Sequence, residues 1–292
     1  MILNYFIASR PWSFTVPVIG ILLVSGLTHS IHHTPLLGGG CLKAMLLTAL
    51  LQASGNLLNS YFDFTQGVDD QHTIGDRCIV DDKITPAGAL TCSALLGFSA
   101  FWLIIPHLLA PERDFLYVFL ASVSLAYFYT APPFKLKYRG LGDVVIFLCF
   151  GPLMTAGSSI LITGENHLWV QPYTIPVTLL TEAILHANNT RDIKQDAKSG
   201  IKTVAILLGY DKSRYLYLMM ILGAYIGAVI MSVKFRGSLL VLFSVPLAVN
   251  TVKKFEKAKI ADIDAETAKL HLVFGLLLNL GIKISAQQNV SN

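Results

Sequence analysis

The chain has 292 residues, 53% of them hydrophobic and only 14% charged, with a mean hydropathy of +0.59. A soluble domain carries about 25% charged residues, and the apolar residues here come in long blocks. Composition therefore excludes an ordinary soluble enzyme and describes an all-α polytopic membrane protein. The formal net charge of +4 gives no sign of a nucleic-acid partner.

At the N-terminus, Arg10-Pro11-Trp12 precedes the first apolar block, and no small-residue cleavage site follows it convincingly. The first span is expected to act as its own targeting signal. A spanning helix needs about 20 mostly apolar residues. Nine blocks approach this: 12–29, 41–62, 87–109, 115–131, 141–162, 168–188, 214–233, 238–252 and 268–286, the eighth being short. The N-terminus and the connections after blocks two, four, six and eight hold most of the 22 Lys and Arg, so they are expected on the cytosolic side. The connections on the other side are short, whereas 63–86 and 189–213 are long. Long polar loops over a compact bundle usually carry function. Gly223 and Gly227 form a G-x-x-x-G expected at a close helix contact. Pro17, Pro152, Pro176 and Pro246 lie inside apolar blocks, where kinks are tolerated. The four cysteines form no C-x-x-C pair and read as small hydrophobes.

Two stretches break the apolar pattern. In EAILHANNTRDIKQDAKSGIKTVAILLG (182–209), Asn188, Asp192 and Asp196 follow one another at four-residue spacing. A helix stacks such residues on one face, about 5–6 Å apart. Arg191, Lys194, Lys198 and Lys202 lie among them. Carboxylates mixed with cations suit Mg²⁺ carrying a phosphate group, because that ion takes one or two protein carboxylates plus substrate phosphates and waters. Taken alone, D-x-x-x-D would equally describe a solvated helix face with Lys partners. The second stretch decides between these readings. Block two ends in NLLNSYFDFTQGVDDQHTIGDR, where Asn56, Asn59 and Asp63 share a face and Asp69, Asp70, Asp76 and Arg77 follow. Asn59–Asp63 and Asn188–Asp192 both lie at cytosolic ends of spans, so the two clusters can meet at one depth. Two Mg²⁺ ions bridged by one diphosphate would relieve the cost of both. Between the clusters, TAPPFKLKYRGLGD carries Lys137 near the membrane boundary, where one lysine can touch a leaving diphosphate as a point charge. Asp143 reads as a helix-dipole residue, and His186 as an ordinary satisfied helix histidine.

The stretches N-S-Y-F-D-F-T-Q-G-V-D (59–69) and N-N-T-R-D-I-K-Q-D-A-K-S-G (188–200) resemble the two aspartate-rich motifs of the UbiA superfamily of intramembrane prenyltransferases. Arg10-Pro11-Trp12 and Leu141-Gly142-Asp143 fit as well, and the likeness covers nearly the whole chain. It is closest to the menaquinone-making branch, and TEAILH before NNTRD is similar to that branch's animal members. The resemblance implies one domain over residues 1–292, with nine transmembrane helices around a central cavity and two cytosolic cap loops. It implies metal contacts through Asn59, Asp63, Asp192 and Asp196, with Asn188 and Asp69 in support and Arg77 and Lys137 on the diphosphate. Ser60 and Gly67 stand where the ubiquinone-type pattern has Asp, and Asp69 lies two residues later, which argues against a 4-hydroxybenzoate acceptor.

The expected reaction moves a polyprenyl group, geranylgeranyl for preference, from its diphosphate to a naphthoquinol. The acceptor stays open between menadiol and a carboxylated naphthoquinol. Phe62, Phe64, Tyr127 and Tyr129 are candidate walls for a developing allylic cation. The setting would be an endoplasmic reticulum or Golgi membrane, or a plasma membrane in a bacterium, and the resemblance also allows a sterol-pathway membrane-protein partner. Two rival readings are an ion-coupled transporter and a sterol-responsive scaffold without catalysis. Transporters place acids near the span centre, whereas these cluster at helix ends.

Overall fold

A computed structural model describes residues 2–69, 77–258 and 260–290. Asp70 and Asp76 lie outside the described residues. Within them the chain is helical, and its one bridge outside the helices pairs Arg139 with Lys202 in parallel. In chain order the helices are α1 (Ile2–Ala8), α2 (Thr15–His32), α3 (Gly39–Thr65), α4 (Pro86–Leu108), α5 (Asp114–Thr130), α6 (Gly142–Leu148), α7 (Met154–Thr163), α8 (Gln171–Arg191), α9 (Ile193–Lys198), α10 (Val204–Met231), α11 (Val245–Glu256) and α12 (Ile263–Val290).

Local chemistry accounts for several boundaries. Thr85 caps α4 by accepting the Gly88 N–H at 3.0 Å, and Pro86 fills the first helical position, where its missing N–H costs nothing. Thr203 caps α10 through the Ile206 N–H at 3.2 Å. A π-turn at Cys149–Leu153, containing Pro152, joins α6 to α7. Pro176 lies inside α8, whereas Pro246 sits in the first turn of α11. Among the described residues, none of the four cysteines forms a disulfide.

Among the described residues, seven helical segments are long and apolar enough to cross a membrane: Pro11–His32, Gly39–Thr65, Pro86–Leu108, Gly142–Thr163, Val204–Met231, Arg236–Glu256 and Ile263–Gln288. The segment containing the short eighth block is among them, because a 3₁₀ run at Arg236–Ser244 lengthens α11. Two blocks fall below that measure. The helix α5 has only 17 residues, and α8 carries Glu182, His186, Asn188 and Asn189. Neighbours shield α8: it packs most extensively on α10 and α12. Large apolar side chains such as Trp102, Met219, Ile230 and Phe243 stand exposed around the bundle. Surfaces of that kind aggregate in water and are normal in lipid. The protein is a multi-pass membrane protein.

The core has two main parts. One joins α2, α8, α10, α11 and α12 around Leu27, Leu180, Tyr217 and Phe274; the other joins α2 to α3, α4, α5 and α7. Gly223 and Gly227 do face α8. A Cβ at Gly227 would stand 2.9 Å from Pro176 Cγ, and one at Gly223 would stand 3.0 Å from Leu179 Cδ1. A tighter contact escaped sequence reading: a Cβ on Gly281 would lie 2.0 Å from the Gly237 carbonyl oxygen. Backbone cannot step aside as a side chain can. Gly281→Ala is therefore expected to lower the thermal midpoint in detergent more than Gly227→Ala, by an overpacking cost of about 1–3 kcal/mol. Equal midpoints would contradict that ordering.

Candidate active site

The site begins where α3 runs out. Asp63 is buried there, and both of its oxygens are held. Lys137 Nζ donates to Oδ2 at 2.8 Å, and the Tyr138 hydroxyl donates to Oδ1 at 2.5 Å. A buried carboxylate is costly unless paired in this way. Its backbone carbonyl accepts the N–H groups of Val68 and Asp69 at 2.8 and 3.2 Å. That turn requires Gly67, whose φ of 70° suits glycine. Asp69 is thereby brought near Tyr138, and it adds to the burial and the Asp63 carboxylate that together push the Tyr138 phenol well above its ordinary range. One turn before Asp63, Asn59 Oδ1 accepts from Thr130 Oγ1 at 2.9 Å, tying α3 to the end of α5.

The second cluster comes from α8 and α9. Asn188, Asp192 and Asp196 do not share one uninterrupted helix, because the backbone leaves the helical region at Asp192 (φ −94°, ψ 5°). Arg191 organises this corner. Its Nε and Nη2 donate to the two Asp192 oxygens, both at 2.8 Å, and its Nη1 pairs with Asp264 of α12 at 2.7 Å. Asn188 Nδ2 reaches the other Asp264 oxygen at 3.5 Å. Asp196 lies one turn beyond Asp192, its N–H donating to the Asp192 carbonyl at 2.9 Å. Burial pushes its carboxyl up to about 6; Lys137 and Arg191 oppose that rise, whereas Asp192 and Asp63 add to it. The acids of α3 and of α8–α9 thus act on each other across Lys137.

A backbone joint holds the two halves together. The Lys202 N–H donates to the Tyr138 carbonyl at 3.1 Å, beside the Arg139–Lys202 bridge. The loop that carries Lys137 and Tyr138 is thereby pinned to the segment following Asp196.

Among the described residues, no three His, Cys, Asp or Glu side chains form a ready metal cage. Mg²⁺ does not require one, since waters and substrate phosphates complete its shell. The donor chemistry suits it: the carboxylates of Asp63, Asp192 and Asp196 and the Asn59 amide, with Asp196 lifted by burial and, after it, by the neighbouring Asp192 and Asp63.

The family model for the UbiA prenyltransferase family matches residues 13–278. The chain belongs to the UbiA prenyltransferase family. It is 34% identical to the UbiA prenyltransferase domain-containing protein 1 of Danio rerio over 97% of this chain and 84% of that protein. It is 32% identical to the Homo sapiens protein of that name over 96% and 83%. Among solved structures it is similar to the apo UbiA homolog of Aeropyrum pernix K1, with a TM-score of 0.69, 14% identity, and coverage of 92% of this chain and 97% of that one. It is also similar to the Archaeoglobus fulgidus UbiA homolog bound to GPP and Mg²⁺, with a TM-score of 0.59, 16% identity, and coverage of 99% and 100%.

Within this UbiA-family chain the remaining sequence-read residues are distributed unevenly. Tyr129 is buried, with Asp143, Asp63 and Glu182 as its charged neighbours. Tyr127 and Phe64 are exposed. Arg77 forms an i,i+4 pair with Asp81 at 2.9 Å in the turn leading to α4. Three residues were missed. Tyr138 adjoins Lys137 in K-L-K-Y-R, Asp264 opens α12, and Arg10 reaches Ser60 Oγ at 3.4 Å with its Nε buried and unpartnered. A periodicity signal existed for none of them; only the family-like Arg10-Pro11-Trp12 pointed to the third.

Arg191 can grip Asp192 and Asp264 together because its guanidinium is a planar fork, which lysine lacks. Arg191→Lys is expected to destabilise the protein by about 1–3 kcal/mol, read as a lower thermal midpoint, with Asp264→Asn losing less. An unchanged midpoint in Arg191→Lys would contradict this.

Proposed function

We propose that this UbiA-family protein transfers a polyprenyl group, geranylgeranyl for preference, from its diphosphate to the ring of a naphthoquinol in menaquinone formation. The observation that carries the reading is the approach of Asp63 to Asp196 on either side of Lys137, with Asp192 beside Asp196. Two acidic groups with one central lysine suit a small, highly charged anion accompanied by cations. The likeness to a homolog bound to GPP and Mg²⁺ supports the donor class. Ser60, Gly67 and Asp69, in place of the ubiquinone-type aspartates, support a naphthoquinol over a 4-hydroxybenzoate.

Asn59, Asp63, Asp192 and Asp196 would hold two Mg²⁺ ions. When bound, these ions supply Lewis-acid neutralisation of the departing diphosphate. Lys137 meets the diphosphate as a point charge, with Arg77 as a further cation. Asp69 and Asn188 steady the two acidic corners. The Tyr129 ring offers its face to positive charge developing on the allylic carbon. A lipid-embedded bundle keeps water from that carbon, which it would otherwise capture.

In the full reading, residues 1–292 are one catalytic domain with nine crossings, α5 and α8 adding to the seven apolar segments. The N-terminus and the connections 63–86 and 189–213 face the cytosol, as the Lys and Arg distribution favours. The membrane is that of the endoplasmic reticulum or Golgi.

The test is the purified protein in lipid nanodiscs with geranylgeranyl diphosphate and menadiol. Prenylated naphthoquinol should form with Mg²⁺ and vanish with chelator. Asp63→Asn and Asp192→Asn should each lose about 10²–10³-fold in kcat, the usual effect of removing one electrostatic partner of the transition state. Undiminished product in chelator, or in the double variant, would overturn the proposal.

A further inference from the structure

A second acidic group lies deeper in the bundle than the first. Asp143 opens α6, and Glu182 lies in α8, six residues before Asn188. At 1.5 Å rise per residue that is about 9 Å further into the membrane. Glu182 is 4% exposed, and neither of its carboxyl oxygens has a hydrogen-bond partner among the described residues; the same holds for both oxygens of Asp143. The two carboxyls are within hydrogen-bond reach of each other. Two carboxylates that close and out of water cannot both be ionised. Contact between them is a hydrogen bond only when one carries a proton, so the pair behaves as a single unit.

His186 completes the group from one turn further along α8. It has no exposed surface, and its Nδ1 stands 3.7 Å from Asp143 Oδ1 without a hydrogen-bond partner. Its Nε2 lies 3.1 Å from the Ser213 carbonyl oxygen. A carbonyl only accepts, so Nε2 carries a hydrogen, and Nδ1 is the ring nitrogen that faces the carboxyl pair. The Tyr129 phenol also neighbours both carboxyls, and Asp63 and Arg10 are the other charged groups acting on it. Five unpartnered polar atoms thus converge beside the ring proposed to face the allylic carbon. Packing alone does not explain them.

We infer that the Asp143–Glu182 pair, backed by His186, is the proton acceptor for a hydroxylated aromatic ring lodged below the diphosphate. This rests on the prenyl-transfer reading above. As the allylic C1–O bond breaks, its electron pair leaves on the diphosphate. A π pair of the ring forms the new C–C1 bond. The hydrogen on that ring carbon then leaves as a proton, and its bonding pair returns to the ring. The singly protonated pair takes this proton and becomes neutral, and His186 Nδ1 relays it away. The step needs no oxidant or reductant.

The test uses the full chain in nanodiscs with geranylgeranyl diphosphate and menadiol as probes. Glu182→Gln should bind geranylgeranyl diphosphate as the unaltered chain does, yet lose about 10²–10⁴-fold in kcat with little change in KM for menadiol. Glu182→Asp should recover part of the rate. Infrared spectra of the unaltered chain should contain the C=O band of a protonated carboxyl, lost in Glu182→Gln and in Asp143→Asn. Full turnover by Glu182→Gln in an active preparation overturns this inference alone, as does absence of that band from the unaltered chain, a measurement that stands even if both variants misfold. Failure of the unaltered chain to prenylate menadiol while binding the diphosphate overturns the prenyl-transfer reading and this inference with it.

Discussion

The pairing of Lys137 with Asp63 is the contact on which the rest of the site depends. Asp63 sits at the end of a membrane-grade helix, where an unpaired charge would be expensive. Losing one partner of a buried pair costs on the order of 3–5 kcal/mol, with the lower end apt here because Lys137 is about a quarter exposed. The pair fixes the 131–141 loop over α3, and the Tyr138–Lys202 backbone bond then carries the constraint across to the strand of chain leaving Asp196. Without that chain of contacts, the two acidic helix ends would be neighbours in composition only.

The site is assembled from three kinds of anchor. Asp63 is positioned by loop side chains, Asn59 by Thr130, and Asp192 by a guanidinium shared with Asp264. Each anchor joins elements that are distant in sequence. The resulting pocket of like charges is tolerable only because basic groups stand among the acids, and Asp196 retains the unrelieved share. A group so placed favours a cation beside it.

Much of this was legible from residue order. Long apolar blocks announced a helical membrane protein, and Asn and Asp at three- and four-residue spacing marked both acidic ends. Gly223 and Gly227 announced a close helix contact that does face α8. What escaped was whatever depends on a partner far along the chain. Asp264 lies in a Lys-rich connection and gains meaning only when Arg191 reaches it. Spacing suggested one face for Asn188, Asp192 and Asp196, but the backbone break at Asp192 was invisible because an Arg–Asp pair of neighbours carries no periodic signal. His186 read as a satisfied histidine. It is satisfied at Nε2 only, since its other nitrogen faces an aspartate from a different helix. Hydropathy alone does not describe α8, whose polar residues are sheltered by α10 and α12.

The central claim is that acids from α3 and from α8–α9 grip one anion through shared cations, and the location of bound metal tests it most directly. Crystals grown with Mn²⁺ and an unreactive prenyl thiodiphosphate should give anomalous density about 2 Å from an Asp63 oxygen and from Asp192 or Asp196, joined by a single diphosphate. Density at one acidic end alone, with Asp63 still engaged only by Lys137 and Tyr138, would contradict the account.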